Sequence, residues 1–92
     1  MTLAKLYTIV KSRAKENPCG SYVTSLFISG RDRIIQKVGE EACEVLIAAK
    51  NTDKKRQIEE ISDLLFHVLV LLVSLNIPLS SVWDELERRN NT

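Results

Sequence analysis

RDRIIQKVGEEACEVLIAAK, residues 31–50, and KKRQIEEISDLLFHVLVLLVSL, residues 54–75, decide the fold. In the first segment Ile34, Val38, Ala42, Val45 and Ala49 recur at helical spacing, and Ile35 and Leu46 widen the stripe. The second carries a much broader apolar arc: Ile58, Ile61, Leu64, Leu65, Phe66, Val68, Leu69, Leu71, Leu72, Val73 and Leu75. A helix that is apolar nearly all round is buried nearly all round. Between the two, Asn51-Thr52-Asp53 stops one helix and starts the next, with Thr52 or Asp53 as N-cap. So short a connection folds the pair into an antiparallel hairpin.

Working outward, Leu3, Leu6, Val10 and Ala14 predict a first helix over about Leu3 to Lys15. Asn17-Pro18-Cys19-Gly20-Ser21 breaks it. Ser21 to Ser29 reads as a short irregular stretch ended by Gly30, its hydroxyls on Ser21, Tyr22, Thr24 and Ser25 serving as caps and turns. On the other side, Asn76-Ile77-Pro78 ends the long helix, and a short one follows with Leu79, Val82, Trp83 and Leu86 inward. The polar tail from Arg88 to Thr92 is expected to fray. The expectation is an all-α fold of four helices in a single domain, 1–92. With 92 residues there is little material to cover the long apolar helix, so the hairpin-based bundle is expected to be completed by homodimerisation or a higher homo-oligomer.

The composition, 45% hydrophobic and 27% charged with three glycines and two prolines, is that of an ordinary helical globular domain. Thirteen basic and twelve acidic residues leave a net charge of +1, so no global field draws nucleic acid or a membrane surface. The run from Leu64 to Leu75, interrupted by His67 and Ser74, is too short to span a bilayer. The N-terminal segment is amphipathic and lacks the apolar core of a signal peptide. Two cysteines without CxxC spacing suit a reduced, cytoplasmic protein.

Two acidic clusters remain, Glu40-Glu41-Ala42-Cys43-Glu44 and Glu59-Glu60-Ile61-Ser62-Asp63. Each holds a carboxylate pair at i and i+3 (Glu41 with Glu44, Glu60 with Asp63), and such pairs share a helix face. Both pairs lie beside an apolar stripe, so an antiparallel hairpin lets them meet at its edge. Carboxylates gathered there repel one another unless a cation intervenes. Oxygen-only ligands suit Mg²⁺ or Mn²⁺ and not zinc. Taken on spacing alone, a solvated acidic face is the simpler account. Arg33 and Lys37 fall on the carboxylate side of their helix and are the candidate phosphate partners among Arg31, Arg33, Lys37, Lys50, Lys54, Lys55 and Arg56. His67, one turn after Asp63, reads as a satisfied packing residue, and so does Cys43 between its carboxylates.

Glu40-Glu41-x-x-Glu44, followed after fifteen residues by Glu60-x-x-Asp63, resembles the signature of the all-α nucleoside-triphosphate pyrophosphatase superfamily. The surrounding text resembles the phosphoribosyl-ATP pyrophosphatase family: Ser21 to Phe27, Gly30, Arg33 to Ala42, Glu59 to Leu72 and Glu85 to Arg89. Cys43, Ser62 and Phe66 depart from the Thr, Ala and Tyr expected there. The resemblance implies a dimer that hydrolyses phosphoribosyl-ATP to phosphoribosyl-AMP and pyrophosphate, the second step of histidine biosynthesis. By position it implies Mg²⁺ on Glu41, Glu44, Glu60 and Asp63, with Glu40 as a further ligand or a water-orienting base beside Glu41. Two other readings stand beside it. The acidic pattern alone fits a house-cleaning enzyme acting on a modified dNTP, and the apolar helix alone fits a non-enzymatic dimerisation module.

Overall fold

The computed structural model describes residues 1–90 and contains five helices: α1 (Leu3–Glu16), α2 (Tyr22–Ser29), α3 (Arg31–Ala49), α4 (Lys54–Ser74) and α5 (Leu79–Arg88). Asn91 and Thr92, the end of the expected polar tail, lie outside the described residues. The architecture is all-α, with no strand among the described residues. The expected boundaries of α1, α3 and α4 agree to within a residue.

The stretch 21–29 corrects the sequence reading, because it is a helix. Ser21 Oγ accepts from the Thr24 amide at 3.3 Å, so the expected capping role holds, but it starts a helix instead of a turn. Its apolar residues do not sit loosely either. Val23 and Leu26 join Val10, Ile34 and Val70 in the buried core, with Leu6, Phe27, Phe66, Leu71 and Val73 packed around them. Gly30 ends α2 at φ 101 and ψ 168, a conformation open essentially to glycine, and lets the chain turn directly into α3.

The α3–α4 hairpin is pinned at both ends. Asp53 caps α4, its Oδ1 accepting from the Arg56 amide at 3.2 Å. Beside it, Gln57 Nε2 donates to the Ala48 and Asn51 carbonyls at 3.2 and 2.8 Å, tying the start of α4 to the end of α3. At the far end Arg31 Nη2 donates to the Ser74 carbonyl at 2.6 Å and its Nε to Ser74 Oγ at 3.0 Å. Arg31 therefore closes the C-terminus of α4, where carbonyls lack helical partners, and is not one of the cations of the acidic face. These clamps fix the antiparallel register in which the middle turns of α3 and α4 face each other.

Within one chain the long helix is only partly covered. Leu69, Val70, His67 and Glu60 are buried, yet Ile58 is 66% exposed, and Ile61 and Leu65 are also open. Ile35 and Leu46 of α3 lie on the same side of the hairpin as these residues, and Val45, Ala49, Gln57 and Ile61 line a shallow groove between the helices. α5 bends away from α4 by 109° and packs little against the other four helices. Leu79 is buried and Val82 half-buried as expected of its inward face, but Trp83 and Leu86 remain exposed. No single helix is long and apolar enough to cross a membrane.

Candidate metal centre

The opposite edge of the hairpin is acidic. Glu41 from α3 and Glu60 and Asp63 from α4 each bring a carboxylate oxygen within 4.8 Å of the others. The register explains the meeting: Glu60 and Asp63 share a face of α4, and Glu41 stands opposite them in the middle of α3. Glu41 and Glu60 are nearly enclosed, with side chains 12% and 11% exposed, whereas Asp63 faces solvent. Two unit charges 4.8 Å apart repel by about 3 kcal/mol at an effective dielectric near 20 and by about 1 kcal/mol in water. The trio therefore requires positive charge nearby.

Part of that charge is supplied by the chain. Lys37 Nζ lies 3.1 Å from Glu41 and 3.9 Å from Glu40, and Arg33 Nη1 lies 3.4 Å from Glu40. The hydrogen bond to Glu41 is the main reason the Lys37 ammonium titrates above its ordinary value of 10.5. Burial opposes this, and the charges of Tyr22, Glu41 and Glu40 reinforce it. On the other flank Arg56 Nη2 lies 3.5 Å from Glu60 and 3.5 Å from Glu44. Five carboxylates (Glu40, Glu41, Glu44, Glu60, Asp63) thus face three cations (Arg33, Lys37, Arg56), a deficit of two positive charges. One divalent ion makes up that deficit, and an all-oxygen donor set suits a hard one. The residues present fit such a group.

Of the four expected metal ligands the structure brings Glu41, Glu60 and Asp63 together. Glu44 stands apart from them, paired with Arg56. Arg33 and Lys37 lie at this edge as expected, and Glu40, with its side chain 45% exposed, bridges them at the solvent side. Cys43 is exposed within the chain, so it does not pack as the sequence reading had it.

His67 is the satisfied packing residue expected. It is 4% exposed, and its Nδ1 lies 2.7 Å from the Asp63 carbonyl. A carbonyl only accepts, so Nδ1 donates to it, and Nε2 accepts a hydrogen bond from the Tyr22 hydroxyl across 2.7 Å. Tyr22 also stacks on Phe66, with ring centroids 6.0 Å apart. The Tyr22 hydroxyl is thereby fixed against α4 by His67 and Phe66. Sequence reasoning gave Tyr22 only a capping or turn role. The one available signal was a tyrosine opening a capped segment, which needs the α2–α4 packing before it means anything.

The chain matches the phosphoribosyl-ATP pyrophosphohydrolase family over residues 3–90. It is 48% identical to the phosphoribosyl-ATP pyrophosphatase of Leptospira biflexa, over 97% of each chain. It is 52% identical to that of Listeria monocytogenes, over 95% of this chain and 84% of the relative. With the histidine biosynthesis bifunctional protein HisIE of Caldanaerobacter subterraneus it shares 53% identity over 95% of its own length, which spans 42% of that relative.

Proposed function

This chain belongs to the phosphoribosyl-ATP pyrophosphohydrolase family, and from that premise we propose that it is a Mg²⁺-dependent enzyme cutting phosphoribosyl-ATP between the α and β phosphorus atoms. The products are phosphoribosyl-AMP and pyrophosphate, in the second step of histidine biosynthesis. The observation that carries the reading is the convergence of Glu41, Glu60 and Asp63 at one edge of the hairpin, flanked by Lys37 and Arg56.

In this reading Glu41, Glu60 and Asp63 would hold the divalent ion, with Glu44 as a fourth ligand. Mg²⁺, or Mn²⁺ in its place, would supply Lewis-acid polarisation of the phosphoryl oxygens and positive charge to balance pyrophosphate when bound there. Lys37 and Arg33 stabilise the negative charge that develops on the non-bridging oxygens. Glu40, solvent-facing between them, orients the attacking water or accepts its proton, with Glu41 the alternative acceptor. The water oxygen forms a bond to the α phosphorus as the bond to the bridging oxygen breaks, and pyrophosphate leaves with the electron pair. Two exposed free cysteines support a cytoplasmic setting, where thiols stay reduced. The exposed apolar edge of α3 and α4 supports a homodimer.

Purified protein with Mg²⁺ is expected to release pyrophosphate from phosphoribosyl-ATP and to lose that activity on chelation. Brisk cleavage of ordinary dNTPs with no turnover of phosphoribosyl-ATP overturns the substrate assignment. Full activity in the presence of a chelator overturns the metal dependence.

A further inference from the structure

Glu44 has the spacing of a metal ligand, yet it is turned to a cation of the chain itself. A single nitrogen, Arg56 Nη2, stands 3.5 Å from Glu44 on α3 and 3.5 Å from Glu60 on α4. Glu60 therefore belongs to two groups: the carboxylate trio on one side and the Arg56 pair on the other. We propose that Arg56 is a positioning residue that holds Glu44 out of the divalent-ion site, and that occupation of the site exchanges the guanidinium for the ion. The proposal rests on the metal reading above.

The geometry favours exchange over a permanent lock. At 3.5 Å both contacts are longer than a tight charge-assisted bond, and the Arg56 side chain is 53% exposed. Solvent-facing pairs of this kind contribute little and part readily. An ion among Glu41, Glu60 and Asp63 places two positive charges next to the guanidinium and repels it. Glu44, left without its partner, lies one turn from Glu41 on the same face of α3 and supplies a further oxygen. Without the ion, Arg56 keeps Glu60 and Glu44 from repelling each other across the hairpin. With it, the same contact competes for a ligand, so the affinity for the ion depends on Arg56 through Glu44.

The test is a substrate-free Mn²⁺ titration, read from the resonance of unbound Mn²⁺, on wild type, Arg56→Gln, Glu44→Gln and the double variant. Arg56→Gln leaves the Asp53 cap on the Arg56 backbone amide intact, and circular dichroism checks its helix content. Arg56→Gln is expected to bind Mn²⁺ about tenfold more tightly than wild type, since Glu44 is then free to supply an oxygen to the ion. In the Glu44→Gln background the same change is expected to gain less than about threefold, because the two residues act through each other. Unchanged or weaker binding by Arg56→Gln overturns the proposal. So does an equal gain in both backgrounds, which reduces Arg56 to general electrostatics. A wild-type protein that takes up no Mn²⁺ overturns the divalent-ion reading itself, and is told apart from those outcomes by the wild-type titration alone.

Discussion

Asp63 and Lys37 divide the acidic edge into a residue that costs stability and one that restores it. Among the described residues none of the ion pairs includes Asp63, although it stands within 4.8 Å of two other carboxylates. Asp63→Asn is therefore expected to raise the stability of the metal-free protein by about 1 kcal/mol, the repulsion of one exposed charge at this range. The same change is expected to lower pyrophosphate release on the order of 10²–10³-fold, the scale of losing one group that supports transition-state charge. Urea midpoints and turnover measured side by side check the pair. Unchanged turnover, with no gain in stability without metal, means Asp63 is only a surface residue. Lys37 works in the other direction. Its folded value lies above 10.5, so its contribution is fully present below 10.5 and is lost as pH rises through the higher folded value. The gap in urea midpoint between wild type and Lys37→Met is expected to be constant through neutral pH and to close above 10.5, and a gap that closes below that value contradicts the assignment. The acidic edge was legible at this scale because i, i+3 spacing converts directly into a shared face. The pairing of Glu44 with Arg56 was not, since it depends on which side chain of α4 reaches across to α3.

Two glycines on consecutive stretches of chain illustrate how an element's ends and middle differ. Gly30 ends α2 at φ 101, and a Cβ there would meet nothing within 4 Å. Gly30→Ala is therefore expected to destabilise by about 1–3 kcal/mol through the backbone alone, with no clash to relieve by repacking. Gly39 stands in the exposed middle of α3, also with open space around it. Gly39→Ala is expected to stabilise a single chain by about 0.8–1 kcal/mol, the ordinary helix-propensity gain. Thermal unfolding of the two variants should move in opposite directions. A destabilised Gly39→Ala would mean that something beyond this chain approaches the α3 backbone there. The long helices were legible in the sequence because fourteen to twenty-one residues give an apolar period time to repeat. α2, with eight residues, gives barely two turns, and its Ser and Thr hydroxyls read as turn chemistry. What makes it a helix is the burial of Val23 and Leu26 against Ile34 and Val70, a tertiary fact that local pattern does not carry.

The two edges of the α3–α4 hairpin have opposite characters, and the whole molecule follows from that. One edge gathers charge; the other leaves Leu46 67%, Ile58 66%, Ile61 47% and Leu65 44% exposed beside a shallow groove. A contiguous apolar face on a small domain marks an interaction surface. The projecting α5, with Trp83 and Leu86 uncovered, adds to the area that a single chain fails to bury. The breadth of the apolar arc in residues 54–75 already implied this shortfall, whereas the side on which it falls emerged only with the register set by Arg31–Ser74 and Gln57–Ala48. Ile61→Glu places a charge in the middle of the apolar edge and leaves Glu41, Glu60 and Asp63 on the opposite one. Wild type is expected to sediment at twice the 10.4 kDa chain mass and to show a Tm that rises with protein concentration. The variant is expected to sediment at the single-chain mass, with a lower Tm that no longer depends on concentration, because the burial it forfeits is shared between two copies. A wild type that stays at the single-chain mass throughout the micromolar range rules out this assembly, and the uncovered leucines and isoleucines then require a different partner.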